Sequence, residues 1–148
     1  MSNDKIKATQ RDATCNQSTV DFERRNPFLF GNRKCNAVLN NNTGADLEAI
    51  SGFLVTRNTG TAGEIFPAQA GNLADVIGIL DMSCVTTLAD GETTNTCYAI
   101  SGDIDATLLT LPAGVTLDTV VGNKVLKDIL TDLGFILHNV TENTKFDN

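Results

Sequence analysis

The sequence predicts a mainly β domain with one helix near its C-terminus and an extended arm ahead of it. Three observations carry that expectation. Short apolar runs recur about every 10–15 residues across residues 51–112, punctuated by Gly, Asn and Asp, as in chains built from short strands. Residues 117–133 have a helical period. The first 26 residues have neither period and are rich in Asn, Asp, Thr, Gln and Lys, a composition that stays disordered until bound.

Taken in order, residues 1–34 form a flexible basic arm, residues 35–50 an Asn-rich connector and residues 51–148 the β domain. Within the arm, "NPFLFG" (26–31) is the first apolar cluster. It stands outside any long periodic segment, which suits an anchor buried against a partner or against the body's own edge. The connector, "NAVLNNNTGADLEAI", reads as a loop with one short helical turn at residues 46–50. The first strand of the body is "SGFLVTRN" (51–58), followed by a Gly/Thr loop and a short "IFPA". "DVIGIL" (75–80) extends to about Val85, and "ADGE" makes a turn into the return strand "TNTCYAISGDI". "ATLLTLP" (106–112) is a further strand.

In residues 117–133, Leu117, Val121, Val125, Ile129 and Leu133, with Leu126 and Leu130, share one arc, opposite Asn123, Lys124, Lys127, Asp128 and Thr131. Thr116 or Asp118 can cap the start, and Gly134 is placed to end it. "FILHNV" (135–140) is the last strand.

A chain of 148 residues, 41% hydrophobic and 20% charged, suits a single domain with its own core. No apolar run approaches the roughly 20 residues that span a bilayer, and the start has no apolar signal region, so synthesis in a cytoplasm and no membrane partner are expected. The net charge of −7 is uneven: residues 1–34 hold seven Lys/Arg against four acids, and the other 114 residues hold four against fourteen. An arm of +3 interrupted by acids, on a body of −10, is poorly suited to a phosphate backbone. It suits docking on another protein.

Residues that could carry chemistry are few. His138, the single histidine, alternates with apolar neighbours and reads as an ordinary strand residue. Cys15, Cys35, Cys84 and Cys97 form no CxxC pair, which argues against zinc and thioredoxin-type chemistry. A turn centred between Asp90 and Gly91 places Cys84 opposite Cys97 in an antiparallel hairpin, with Cα atoms roughly 4.5 or 5.5 Å apart. Such a pair could be bridged or could remain two small reduced hydrophobes. Asp81, Asp90, Glu92, Asp103 and Asp105 sit at turns and strand ends; four of them, Asp81 aside, read most simply as a solvated face. "TGTAGE" is not a phosphate loop, and "NQS", "NNT" and "NVT" match a glycosylation pattern without a secretory signal to make it meaningful. No cofactor, metal or enzyme activity is expected.

Four blocks in fixed order carry a resemblance: "ISGFLVTRN", "FPAQAGNLADVIGIL", "ADGETTNTCYAISGDI" and "KVLKDILTDLGFILHNV". Together, across about residues 50–140, the chain resembles the lambda-type head decoration, or cement, proteins of tailed phages. The resemblance implies a β-clip domain with a helix, assembled as a homotrimer. It would sit on the outer surface of the virion's expanded capsid at local threefold positions, bound to the major capsid protein and stapling it against internal DNA pressure. It also implies an N-terminal segment that orders on the shell and adds to one of its sheets. The chain departs from the pattern in a longer N-terminal region and in having no tryptophan.

A capsid staple needs contact area rather than catalytic residues. Arg24, Arg25 and Arg33 would supply links to an acidic shell, and Pro27, Phe28, Leu29 and Phe30 apolar anchors. Repetition around a shell would turn weak single contacts into strong avidity. Two other readings remain open: a trimeric tail or head-fibre component, and a small β-clip enzyme, since fold does not fix function.

Overall fold

A computed structural model describes residues 26–139. The chain runs through β1 (Phe28–Asn40), β2 (Leu47–Ala49), β3 (Leu54–Arg57), β4 (Glu64–Pro67), β5 (Val76–Asp81), β6 (Thr86–Leu88) and β7 (Thr93–Asp105). Then come β8 (Val120–Val121), β9 (Lys124–Val125), the helix α1 (Leu126–Leu133) and β10 (Phe135–His138). The mainly β class with one C-terminal helix is as expected.

The main sheet has the order β1-β4-β3-β5-β7-β10, and β1 also pairs with β7. That additional pairing closes five strands into a ring and leaves β10 outside it. Strand β7 organises the whole arrangement. Along one edge it carries β1, antiparallel, from Phe28↔Ile104 to Asn40↔Thr93. Along the other it carries first β5 (Ile79↔Ala99 to Asp81↔Cys97) and then β10, parallel, from Phe135↔Gly102 to His138↔Asp105. Closing a sheet on itself removes exposed edges within the ring.

Alternation along these strands divides the interior in two. Val55, Ile65, Leu80, Tyr98 and Leu39 meet in one cluster. Their neighbours Leu54, Ile79 and Ala99 face the other way, onto Leu126 and Leu130 of α1, with Phe135 and Leu73. Strands β3, β5 and β7 thus bury both faces here, which explains the near-continuous apolar run "VIGIL" in β5. Gly78 in that run has no room for a side chain: a Cβ there would collide with the Ala99 carbonyl oxygen and, at 2.7 Å, with the Tyr98 ring. The glycine lets β5 lie close under β7.

Several expected boundaries move. The domain does not begin at residue 51, because β1 builds residues 28–40 into the sheet. The supposed connector 35–50 is therefore half strand, and the helical turn expected at 46–50 is instead β2, paired with β6. Asn41, fully buried, replaces the expected loose Asn tract with a fixed corner. Its Nδ2 donates to the Ala45 and Leu88 carbonyls, and its Oδ1 accepts from the Thr43 N–H and hydroxyl.

The helix is shorter than its apolar arc. Residues 120–125 form the β8–β9 hairpin around Gly122-Asn123, a two-residue turn flanked by β-branched valines. Leu117 and Val121 still pack on the core, so the apolar positions are used, but by a hairpin. The first helical N–H groups are met by that fold-back: Leu126 donates to Thr119 and Lys127 to Leu117. Gly134 ends the helix as expected. Residues 106–112 are not a strand. Asp105 accepts from the Thr107 N–H and hydroxyl and turns Ala106–Leu108 into a short 3₁₀ helix.

Candidate functional site

The expected contact residues separate into those the fold consumes and those it presents. Arg24 and Arg25 lie outside the described residues. Pro27 is buried, and its carbonyl accepts the Asp105 N–H at 2.7 Å. Phe28 packs on the helix-side core, with the Lys34 ammonium 4.8 Å from its ring centroid. Lys34 in turn pairs with Asp81. These residues hold β1 down. Leu29 (39% exposed), Phe30 (65% exposed) and Arg33 face solvent.

A β-bulge makes the separation. Phe28 stands opposite Ile104, yet Phe30 stands opposite Asp103. Two steps on β1 are matched by one on β7, so Leu29 is the extra residue. In a regular strand Phe28 and Phe30 would share a face; the bulge turns Phe30 to the outside. A second irregularity follows between Phe30 and Arg33, where Asn32 Nδ2 donates to the carbonyls of Ser101 and Asp103, 3.3 Å each. The residue between them, Gly102, has φ +117. Here β7 changes sides: Tyr98 and Ile100 belong to the ring cluster, whereas Ile104 belongs to the helix-side core.

Beyond Gly102, β1, β7 and β10 form a three-stranded flap. Phe28, Ile104, Phe135 and Leu137 line its inner face. On its outer face, Phe30 and Ile136 are both register partners of Asp103. His138 Nε2 lies 2.9 Å from Asp103 Oδ2, and its ring centroid is 6.5 Å from that of Phe30. Ile136 is 56% exposed. Sequence reasoning missed Asp103, Ile136 and His138 as part of this surface. The signal that could have found them is the alternation in "FILH", which puts Ile136 and His138 on one face.

The cysteines behave differently from the hairpin expectation. The register of β5 on β7 sets Asp81, not Cys84, opposite Cys97. Strand β5 ends at Asp81, and Cys84 lies exposed in the following turn. The Asp90-Gly91 turn is present, with Glu92 donating to the Ala89 carbonyl, but it joins β6 to β7 rather than β5 to β7. Cys35, Cys84 and Cys97 are free thiols; Cys15 lies outside the described residues. Cys97 Sγ is 3.7 Å from the Asp81 carbonyl oxygen. Burial pushes its thiol above its ordinary range, and the Asp81 carboxylate pushes it further. That opposes thiolate nucleophilicity.

The acids are also not one solvated face. Asp90 and Glu92 are exposed, but Asp105 is buried and Asp103 has a side chain only 17% exposed. Asp90 accepts the Gly44 N–H and fastens the turn to the Asn41 corner. Among the described residues, no group of three or more His, Cys, Asp or Glu could hold a metal ion. No helix among them is long and apolar enough to cross a membrane. No protein-family model matches the chain, and no curated protein matches it significantly.

Proposed function

We propose that this protein decorates the capsid of a tailed phage. It binds the outer surface of the expanded shell as trimers at local threefold positions, contacts the major capsid protein and stabilises the shell against DNA pressure. The four-block sequence resemblance supports this class. The structural observation that carries the reading is the outward-turned Phe30, with Leu29 and Arg33 beside it, at the point where the basic arm joins the folded body. The bulge turns Phe30 out of the core, and exposed apolar clusters rimmed by charge mark interaction surfaces. The test is binding to expanded, undecorated capsids of the phage that encodes the chain. Saturable binding at threefold positions, with capsids more resistant to heat, supports the reading. Failure to bind expanded shells, or recovery of the protein with tails instead of heads, overturns it.

A further inference from the structure

We infer that the contact surface is composite: β10 joins β1 in it, and together they receive an extended, acidic protein segment carrying apolar side chains. Where that segment belongs to the shell, the inference rests on the capsid reading above and extends it to the C-terminal strand.

Three independent features converge on this flap. Five large hydrophobic side chains of the described residues are exposed, and three of them, Leu29, Phe30 and Ile136, lie here. Phe30 and Ile136 flank Asp103 across adjacent strands, so they make one cross-strand row. The second feature is the backbone. Strand β10 ends the sheet order and, among the described residues, pairs only with β7. Its sequence, Phe-Ile-Leu-His, has no Lys, Pro or bulge of the kind that blunts sheet edges. Such an edge accepts an added strand, whose alternate side chains would meet Ile136 and His138.

Charge gives the sign of the partner. Residues 26–139 hold five Lys/Arg against twelve acids, so the body as a whole favours cations. The flap is the exception. Lys34, Lys124 and Lys127 are each engaged by an aspartate, and Arg57 donates to the Tyr98 hydroxyl. Arg33 has no such partner among the described residues, and Arg24 and Arg25 come shortly before it in sequence. The carboxylate of the outer row, Asp103, is already occupied by His138. An acidic segment therefore meets here an arginine that no carboxylate engages among the described residues, next to a single carboxylate already held by His138, whereas the rest of the body is predominantly acidic.

The experiment uses the full chain in two arms. In the first, wild type, Phe30→Ser, Ile136→Asp, Arg33→Glu and Val120→Asp are titrated onto expanded shells after circular dichroism shows each folded. Val120 is the control, exposed and apolar but carried by the β8–β9 hairpin rather than by β1, β7 or β10. Weakening by about tenfold or more in the three flap variants, with Val120→Asp unchanged, is expected. Wild-type affinity in Ile136→Asp overturns the composite surface while leaving the capsid reading intact. In the second arm, an alternating Glu/Val decapeptide and its Lys/Val counterpart are titrated while backbone amide resonances are followed. Shifts at residues 28–33 and 136–138 with the acidic peptide alone are expected. Shifts with both or with neither overturn the inference. Should wild type not bind shells, the capsid reading fails and this second arm decides the flap by itself.

Discussion

Asn32 occupies the space that a side chain at Gly102 would need. A Cβ on Gly102 would lie 2.6 Å from Asn32 Cα and 2.8 Å from its backbone nitrogen. The obstacle is backbone and cannot rotate away, and a φ of +117 is itself costly for any other residue. Gly102→Ala is expected to lower stability by about 2–3 kcal/mol in urea denaturation. It should also loosen the bulge that turns Phe30 outward, so binding to shells should fall in protein that is still folded. Asn32→Ala removes both carbonyl contacts without the collision, and should reduce binding at a smaller loss of stability.

Asn41 offers a separate test, on the fold alone. Its amide group makes four hydrogen bonds in a fully buried corner and joins the residues 41–45 loop to β6. Its backbone also exchanges hydrogen bonds with Gly91 and Glu92. Asn41→Ala removes the side-chain partners of the Leu88 carbonyl and the Thr43 N–H and leaves the Ala45 carbonyl to the Thr43 hydroxyl alone, so about 3 kcal/mol of destabilisation is expected. The measurement is thermal or urea unfolding. A change under 1 kcal/mol would show that water substitutes for the amide.

The mainly β class was legible because runs such as "VIGIL" and "TNTCYAIS" are separated by clear turn residues. The terminal strand was legible too, since Gly134 divides two apolar patterns. The helix start was not. Leu117, Val121 and Val125 satisfy a helical arc and a hairpin equally well, and the Gly122-Asn123 turn decides between them. Strand β1 was missed because its pairing is broken by three register irregularities and its partner, β7, lies more than fifty residues away. The same distance hid the proposed contact surface: nothing local to "NPFLF" or "FILH" says that Asp103 brings them together. The cysteine pairing failed because β6 intervenes between β5 and the Asp90-Gly91 turn.

Cys97 gives a pH prediction with a definite sign. Its thiol holds its proton more tightly in the folded chain, through burial and then the Asp81 carboxylate. The folded state therefore binds more protons than the unfolded one once the unfolded thiol begins to ionise. The stability linked to this group is fully present below the ordinary thiol range and is lost as pH rises through it to the raised folded value. Iodoacetamide should label exposed Cys84 well before Cys97 at pH 7.5, with Cys97 gaining reactivity only in more alkaline solution. Peptide mapping by mass spectrometry reads both sites. Equal rates at pH 7.5 would refute the burial of Cys97.

Truncation tests where the arm ends and the body begins. The charge pattern alone suggests a boundary at residue 34, but Phe28 packs on the core and Lys34 reaches Asp81 across the sheet. Removal of residues 1–34 therefore deletes half of β1, exposes Ile104 and opens one edge of β7 over residues 99–104. That protein is expected to be destabilised by several kcal/mol or to aggregate. Removal of residues 1–25 spares every strand among the described residues and is expected to leave the unfolding midpoint within a few degrees of the full chain. On the capsid reading the shorter truncation still weakens shell binding, because it removes Arg24 and Arg25 while Phe30 and Ile136 stay in place. Comparing the two by thermal unfolding and shell binding separates the arm's contribution from that of the flap. Wild-type affinity in the chain lacking residues 1–25 would assign the contact to the flap alone.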